Sequence, residues 1–440
     1  MELRLAALAI LGAFGGCLIN AAIDAWAWQP RRVSPWLRRS ASAPSRKWLD
    51  RLPMIGWWRL RREAKLHGTG FWIRPLAIEL ACGIGLAALY RFEVMQLGLI
   101  APQLPAGLPP IDPASVAGVA HAQFASHAIL AALMLIASFI DIDERLIPDQ
   151  VTVLGTLLGL LLASLLPMAF LPQVTERLAQ PSIGTQIQRP GGAPVIGPQG
   201  GTLYVEPIHA AAPNDWPETL RGRSGPALVV GLACFWLWCF ALTRRIWRGR
   251  RGPIFALQLI TARLVRDLRS QPLFAIWLGG TLAVFVVWLI GGGAWIGLLT
   301  ALIGLVVSGG IVWIIRIVGT AAMRREAMGF GDVTLMMMIG TFLGWQAGLV
   351  IFFLAPLPAL VIGLGQLLLR RGDVIPYGPF LCLAAAAVVV AWPTVWDRTI
   401  LVFGVPHLLA AVLLVCFVML GVMLYVWQIV KRVLFGIEFE

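Results

Sequence analysis

The run Ala128-Ile-Leu-Ala-Ala-Leu-Met-Leu-Ile-Ala-Ser-Phe-Ile140 carries no charge and stops on Asp141-Ile-Asp-Glu-Arg-Leu-Ile-Pro-Asp149. Traced back to residue 118 it is long enough to cross a bilayer core, which takes about 20 apolar residues in helical form. Its acids stand where such a helix meets water. Outward from this stretch, comparable runs read at 3–28, 72–90, 150–172, 226–243, 272–291, 294–318, 347–369, 378–396 and 406–430. A shorter apolar piece, 333–345, follows a Gly-rich turn. The first run is too long for a signal-peptide core of about 7–15 residues and is read as a helix. The expected fold is all-α: a polytopic transmembrane helix bundle of about ten or eleven spans, with a basic cytoplasmic loop after the first helix.

Composition supports this. The 440 residues are 59% hydrophobic and 13% charged, yet the net charge is +13. A soluble domain carries about 25% charged residues, and a nucleic-acid-binding chain would be this basic but not this apolar. The lipid bilayer is therefore the expected partner, and nucleic acid is not. Nineteen Trp against four Tyr fit interfacial aromatic belts. The basic residues cluster between spans one and two (Arg31 to Lys65), at 244–269, and at Arg324-Arg325, Arg370-Arg371 and Lys431-Arg432. By the positive-inside bias these are cytoplasmic. The expected location is the plasma (inner) membrane, with the N-terminus outside and the C-terminus inside. The mixed, Pro- and Gly-rich stretch 173–225 reads as extracytoplasmic and loosely ordered. Ile254–Leu268 reads as an amphipathic piece. The six Cys form no CxxC pair and the five His no ligand spacing, so no metal site is expected.

Two acids stand out. Asp141 closes one apolar run, and Asp332 closes Met328-Gly-Phe-Gly-Asp332 and opens the next. The charge count puts both at the cytoplasmic face. Two carboxylates held close cannot both ionise cheaply, and such a pair can divide general-acid and general-base roles. Glycines at 329 and 331 would let a substrate backbone approach. The plainer readings are an N-cap role for Asp332 and a wet loop in which Asp141, Asp143 and Glu144 pair with Arg145. Glu79, within span two, is a candidate contact for cofactor, substrate or another helix, or a partner of Arg74. Asn20 is a candidate contact of the same kind, or an interhelical hydrogen-bonding residue.

Three motifs in order resemble the type IV prepilin leader peptidases, membrane aspartyl proteases with a GxGD motif. Asp141-Ile-Asp-Glu-Arg-Leu-Ile-Pro148-Asp149 is similar to the family's D-x-x-x-x-x-[LI]-P-D. Glu326-Ala-Met-Gly-Phe-Gly-Asp332 is similar to E-G-M-G-x-G-D, and Ile375-Pro-Tyr-Gly-Pro-Phe380 to I-P-F-G-P-F. Gly16–Asn20, Asp50–Trp57 and Pro75–Leu80 resemble the family's N-terminal part more loosely. The resemblance implies Asp141 and Asp332 as the catalytic pair, with Gly329, Gly331, Pro148, Asp149, Pro376, Gly378 and Pro379 in supporting positions. It implies prepilins or pseudopilins as substrates, cut after a short basic leader at the cytoplasmic face. No cofactor is implied for proteolysis; S-adenosylmethionine is implied if the chain keeps the N-methylation that many members perform.

The chain departs from the family in places. Arg39, Ser42, Ala64 and His67 stand about where the family carries two CxxC pairs, so zinc is not expected. Thr334 replaces a Lys after the GD. The two aspartates are farther apart than is usual. The chain divides into an N-terminal part with the basic loop (1–117), a first aspartate helix pair (118–172), an inserted outer loop and extra helices (173–290) and the GxGD region with C-terminal helices (291–440). Two other readings are a presenilin-like GxGD protease and a non-catalytic scaffold or transporter. Presenilin-like proteases carry Tyr-Asp and Pro-Ala-Leu; here Ile140 precedes Asp141, and Pro-Ala-Leu occurs at both 226–228 and 358–360.

Overall fold

The computed structural model describes residues 2–31, 33–38, 44–104, 111–175, 184–187, 195–196, 202–203, 208–214, 216–243, 271–323, 328–368, 376–405, 407–419 and 422. The amphipathic piece 254–268 and Glu326, Arg324, Arg325, Arg370, Arg371, Ile375, Lys431 and Arg432 lie outside the described residues.

The described helices are α1 (Glu2–Trp26), the short α2 (Ile55–Leu60) and α3 (Ala64–His67), α4 (Ile73–Tyr90), α5 (Pro113–Glu144), α6 (Asp149–Leu165), the short α7 (Glu218–Arg221) and α8 (Gly225–Leu242). They continue with α9 (Gln271–Ile290), α10 (Gly292–Met323), α11 (Phe330–Leu343), α12 (Trp345–Leu354), α13 (Pro356–Leu368), α14 (Gly378–Gly404) and α15 (His407–Met419). Seven of these, and α12 taken together with the start of α13 (Trp345–Ile362), are long and apolar enough to cross a membrane; α6, α11 and α15 are apolar but shorter. The molecule is an integral membrane helix bundle. The run expected at 347–369 is split at Ala355, where α12 ends and Pro356 opens α13.

At the centre stands α11. Every residue from Asp332 to Leu343 is buried, which is why its sequence is apolar all round rather than on one stripe. Around it pack α10, α6, α12, α5 and α14. Close approach needs glycine: a Cβ on Gly304 of α10 would lie 2.2 Å from the Gly340 carbonyl oxygen, and one on Gly340 would lie 2.3 Å from that of Gly304. Small residues at a crossing let two backbones touch without any polar driving force. A second pair, α1 and α4, packs beside this bundle and leans on α5.

The two ends of the bundle differ. At one end, indole N–H groups tie helices to the connecting loops: Trp216 to Thr300 Oγ1 at 2.9 Å, Trp295 to the Leu220 carbonyl at 2.9 Å, Trp345 to Asn214 Oδ1 at 3.0 Å and Trp392 to the Pro172 carbonyl at 2.8 Å. The described part of 173–225 is more ordered than the sequence suggests. Strands β1 (Gln173–Thr175), β2 (Gly184–Ile187) and β5 (Ile208–Ala211) form an antiparallel sheet in the order β1-β5-β2; β3 (Val195–Ile196) and β4 (Thr202–Leu203) form a second pair. Ile208 and Ala210 alternate inward, against Val116, Val119 and Ala120 of α5, so half-buried alternation fixes the strand.

The opposite end holds the C-terminus of α5 and the N-termini of α6, α11 and α14. The basic loop before α4 folds onto this end through three buried acids. Asp50 accepts from the side chains of Arg59 and Arg62, and Glu63 pairs with Arg46 at 2.9 Å. Glu79 accepts from the Met54 N–H at 2.6 Å and the Trp57 indole at 2.7 Å. Burial pushes the Asp50 carboxyl upward, but Arg59, the Lys47 N–H and Arg62 outweigh it and hold it below the usual carboxylate range.

Candidate active site

Asp141 lies in the last turn of α5 and is 5% exposed. A negative charge is unfavourable at a helix C-terminus, and the fold compensates from another helix. The Gly378 N–H, the first of α14, donates to Asp141 Oδ2 at 3.2 Å. Gly378 is required by this approach, since a Cβ there would lie 2.6 Å from Asp141 Oδ2 and 3.0 Å from Ile147 Cδ1. Arg145 then ends α5 in the left-handed region, φ 55°, its N–H on the Asp141 carbonyl at 2.8 Å. That turn sends the chain through Ile147 and Pro148 into α6, which opens on Asp149.

Asp332 is 8% exposed and sits in the first turn of α11. The N-cap reading is corrected: Gly329 is the N-cap, and Asp332 stands three residues on, in the first turn. An acid in the first turn of a helix faces the positive end of the helix dipole. Both acids are thus held at helix N-termini, Asp332 at its own and Asp141 at that of α14.

Both carboxylates line one cavity of about 990 Å³. Its walls come from α1 and the following turn (Trp26, Ala27, Trp28), from the α5–α6 turn (Arg145 to Gln150), from Met328 to Gly331, and from Pro376 and Tyr377. Of the supporting residues expected from the sequence, Pro148, Asp149, Gly329, Gly331 and Pro376 line it. Gly378 touches Asp141 directly, and Pro379 stands behind it in the first turn of α14. The Pro376–Pro379 turn thus supplies a polar contact as well as a bend.

The reading of Asp143 and Glu144 as partners of Arg145 is also corrected. Asp143 pairs with Arg74 at 2.6 Å and Arg31 at 3.1 Å, while Glu144 accepts from the backbone N–H groups of Trp28 at 2.6 Å and Gln29 at 3.2 Å. These acids fasten the end of α1 to the end of α5 and so build the Trp26–Trp28 wall. Arg74 is taken by Asp143, leaving Glu79 to the loop. The alternation of Arg and acid across 31, 74, 143 and 144 was the available signal, but nothing local pairs residues so far apart. Asn20 donates to the Pro75 carbonyl at 3.0 Å and lines a second cavity; Glu79 lines neither. Among the described residues no cluster of three or more His, Cys, Asp or Glu could hold a metal ion.

Fold and site define a helical integral membrane protein with two buried aspartates facing one cavity at one end of the bundle. A model described as the type IV leader peptidase family matches residues 254–364. That stretch takes in Gly329, Gly331 and Asp332, leaves Asp141 outside, and begins within the segment read as inserted. The chain is 33% identical over 95 residues to a prepilin leader peptidase/N-methyltransferase of Aeromonas salmonicida (strain A449), covering 21% of this chain and 33% of that protein. It is 31% identical over 156 residues to one of Pseudomonas aeruginosa, covering 34% and 50%. The chain thus spans between a third and a half of the length of these relatives. No solved structure matches. These matches support the type IV prepilin peptidase family, the family the motifs resemble.

Proposed function

We propose that this protein is an aspartyl endopeptidase that removes the basic leader from prepilins or pseudopilins at the cytoplasmic face of the inner membrane. The observation that carries the proposal is the placing of Asp141 and Asp332, from distant helices, on one cavity. In this reading one carboxylate is charged and takes a proton from water, while the other is protonated and donates to the scissile carbonyl oxygen. The helix N-termini at Gly378 and Gly329 orient the pair, and the Trp28, Phe330 and Tyr377 walls would receive the apolar segment beside the cut. In this topology the N-terminus lies outside, and the loop, the C-terminus and the aspartates lie inside.

The test is leader cleavage of a co-expressed prepilin in membranes. Asp141→Asn and Asp332→Asn should each abolish it while the protein remains inserted. Normal cleavage by either variant would sink the aspartyl mechanism.

The same reading extends to N-methylation, the second activity in the names of the relatives. A second cavity of about 770 Å³ is lined by Asn20, Asp24, Arg31, His67, Phe71, Arg74 and Asp143 among others. Its size suits a small organic molecule. Asp24 offers an acceptor for a cationic group, Phe71 an aromatic face, and Arg31 and Arg74, each already paired with Asp143, further N–H groups for a carboxylate, so these residues fit S-adenosylmethionine. That compound would supply an electrophilic methyl group for an amine. The mass of the mature substrate N-terminus decides the matter: an unmethylated product would confine the protein to proteolysis.

A further inference from the structure

The basic loop carries a face that neither cavity uses. Both of its buried acids are committed: Asp50 to Arg59 and Arg62, Glu63 to Arg46 and His67. Lys47, Arg51, Arg61 and Lys65 are exposed and make no ion pair with a described residue. Large apolar side chains stand among these cations: Trp48 is 70% exposed, Ile55 55% and Trp58 59%. Ile55, Trp58 and Arg61 follow one another at three-residue steps, so they share one side of α2 and its extension.

This face is continuous with the start of a membrane helix. Trp58 packs edge-on against Trp72 at 5.6 Å between ring centroids. Trp72 immediately precedes α4, whose first residue, Ile73, is 55% exposed. The Arg61 guanidinium lies over both indoles, 4.5 Å from the Trp58 ring and 5.0 Å from that of Trp72. Indoles collect at the headgroup level, where an apolar body and a polar N–H are both accommodated. A guanidinium stacked on two rings is held in place by cation–π attraction while its N–H edge stays free. That edge suits bidentate recognition of a phosphate.

We propose that the Trp58–Arg61–Trp72 stack, with Arg51 and Lys65 beside it, is a binding site for the phosphate headgroup of an anionic phospholipid. The loop then lies on the leaflet that α4 enters, with Trp48, Ile55 and Trp58 in the interfacial layer. The basic residues thus have a lipid ligand beyond their part in setting topology. Two features favour a lipid over a protein or nucleic-acid partner: the face runs on into the exposed start of the apolar helix α4, and two indoles bracket a cation beside it, the combination that collects at membrane interfaces.

The experiment uses the full chain in a neutral detergent, titrated with dioleoylphosphatidylglycerol or dioleoylphosphatidylcholine in mixed micelles. Bound lipid is read by native mass spectrometry and the unfolding midpoint by thermal scan. The wild type should bind the anionic lipid in preference to the zwitterionic one. Arg61→Gln should weaken that preference about fivefold, as expected for one cation at a membrane surface. Arg61→Lys, which keeps the charge, should retain part of it and separate headgroup loss from misfolding. Arg91→Gln, an exposed cation at the far end of α4, should leave it unchanged. An equal response to both lipids, or a full preference in a folded Arg61→Gln protein, overturns the proposal. So does equal stabilisation by inorganic phosphate alone, which would mark a free-anion site, or preferential capture of an oligonucleotide over the anionic lipid.

Discussion

Gly378 donates its backbone N–H to Asp141 at 3.2 Å, across 237 positions of sequence. The contact places the positive end of α14 on a carboxylate that its own helix end would disfavour. It also makes the position intolerant of any side chain.

Gly378→Ala should therefore displace the Asp141 carboxylate while leaving the bundle inserted. A shift of about 1 Å in a reacting group costs on the order of 100-fold in rate. Leader cleavage kinetics in membranes, compared at equal protein level, check this. Wild-type rates would show that the contact does not position the acid.

Glu144→Gln should loosen the Trp26–Trp28 wall, because the charged acceptor for the Trp28 and Gln29 N–H groups becomes neutral. Hydrogen bonds to charged groups contribute about 1.5–3 kcal/mol, less where exposed as here. The expectation is a KM about tenfold higher with kcat nearly unchanged, since the reacting carboxylates are not touched. A fall in kcat at constant KM would contradict this.

Asp50→Asn should detach the basic loop at neutral pH. Breaking a buried ion pair costs about 3–5 kcal/mol; the arginines here are 35% exposed, so about 2–3 kcal/mol is expected. Because the folded carboxyl is held below its ordinary value, its stabilisation is complete above about pH 3.9 and declines as pH falls through the lower folded value. The gap between wild type and variant should narrow only under strong acid. Limited proteolysis of the 44–72 segment across pH measures it.

Gly340→Ala should force α10 and α11 apart, with a Cβ 2.3 Å from the Gly304 carbonyl oxygen. Overpacking of this kind costs about 1–3 kcal/mol, and α11 carries Asp332. A lower unfolding midpoint in detergent should accompany weaker cleavage. An unchanged midpoint would mean that the crossing relaxes freely.

Much of the architecture was legible in the sequence because membrane helices announce themselves by length and apolarity. Asp141 and Asp332 were legible as acids at the ends of such helices, and Pro148, Asp149, Gly329 and Gly331 by motif. The roles of Asp143 and Glu144 were not. Their partners Arg31, Arg74, Trp28 and Gln29 are distant in sequence, and the spacing to Arg145 offered a nearer but wrong one. The β5 strand was hidden because its alternation spans only four residues in a Pro- and Gly-rich context.

The sequence by itself determined which segments are membrane helices, which ends carry cations and where two acids interrupt apolar runs. Local hydrophobicity and charge act within one segment and leave a direct trace in it. Only the tertiary structure decided that the ends of α5, α11 and α14 converge, that a backbone N–H at Gly378 is the partner of Asp141, and that Asp50, Glu63 and Glu79 of the N-terminal region are buried. Those outcomes depend on how closely helices cross. Contacts such as Gly304 with Gly340 set that distance between segments, and the periodicity of no single segment encodes it.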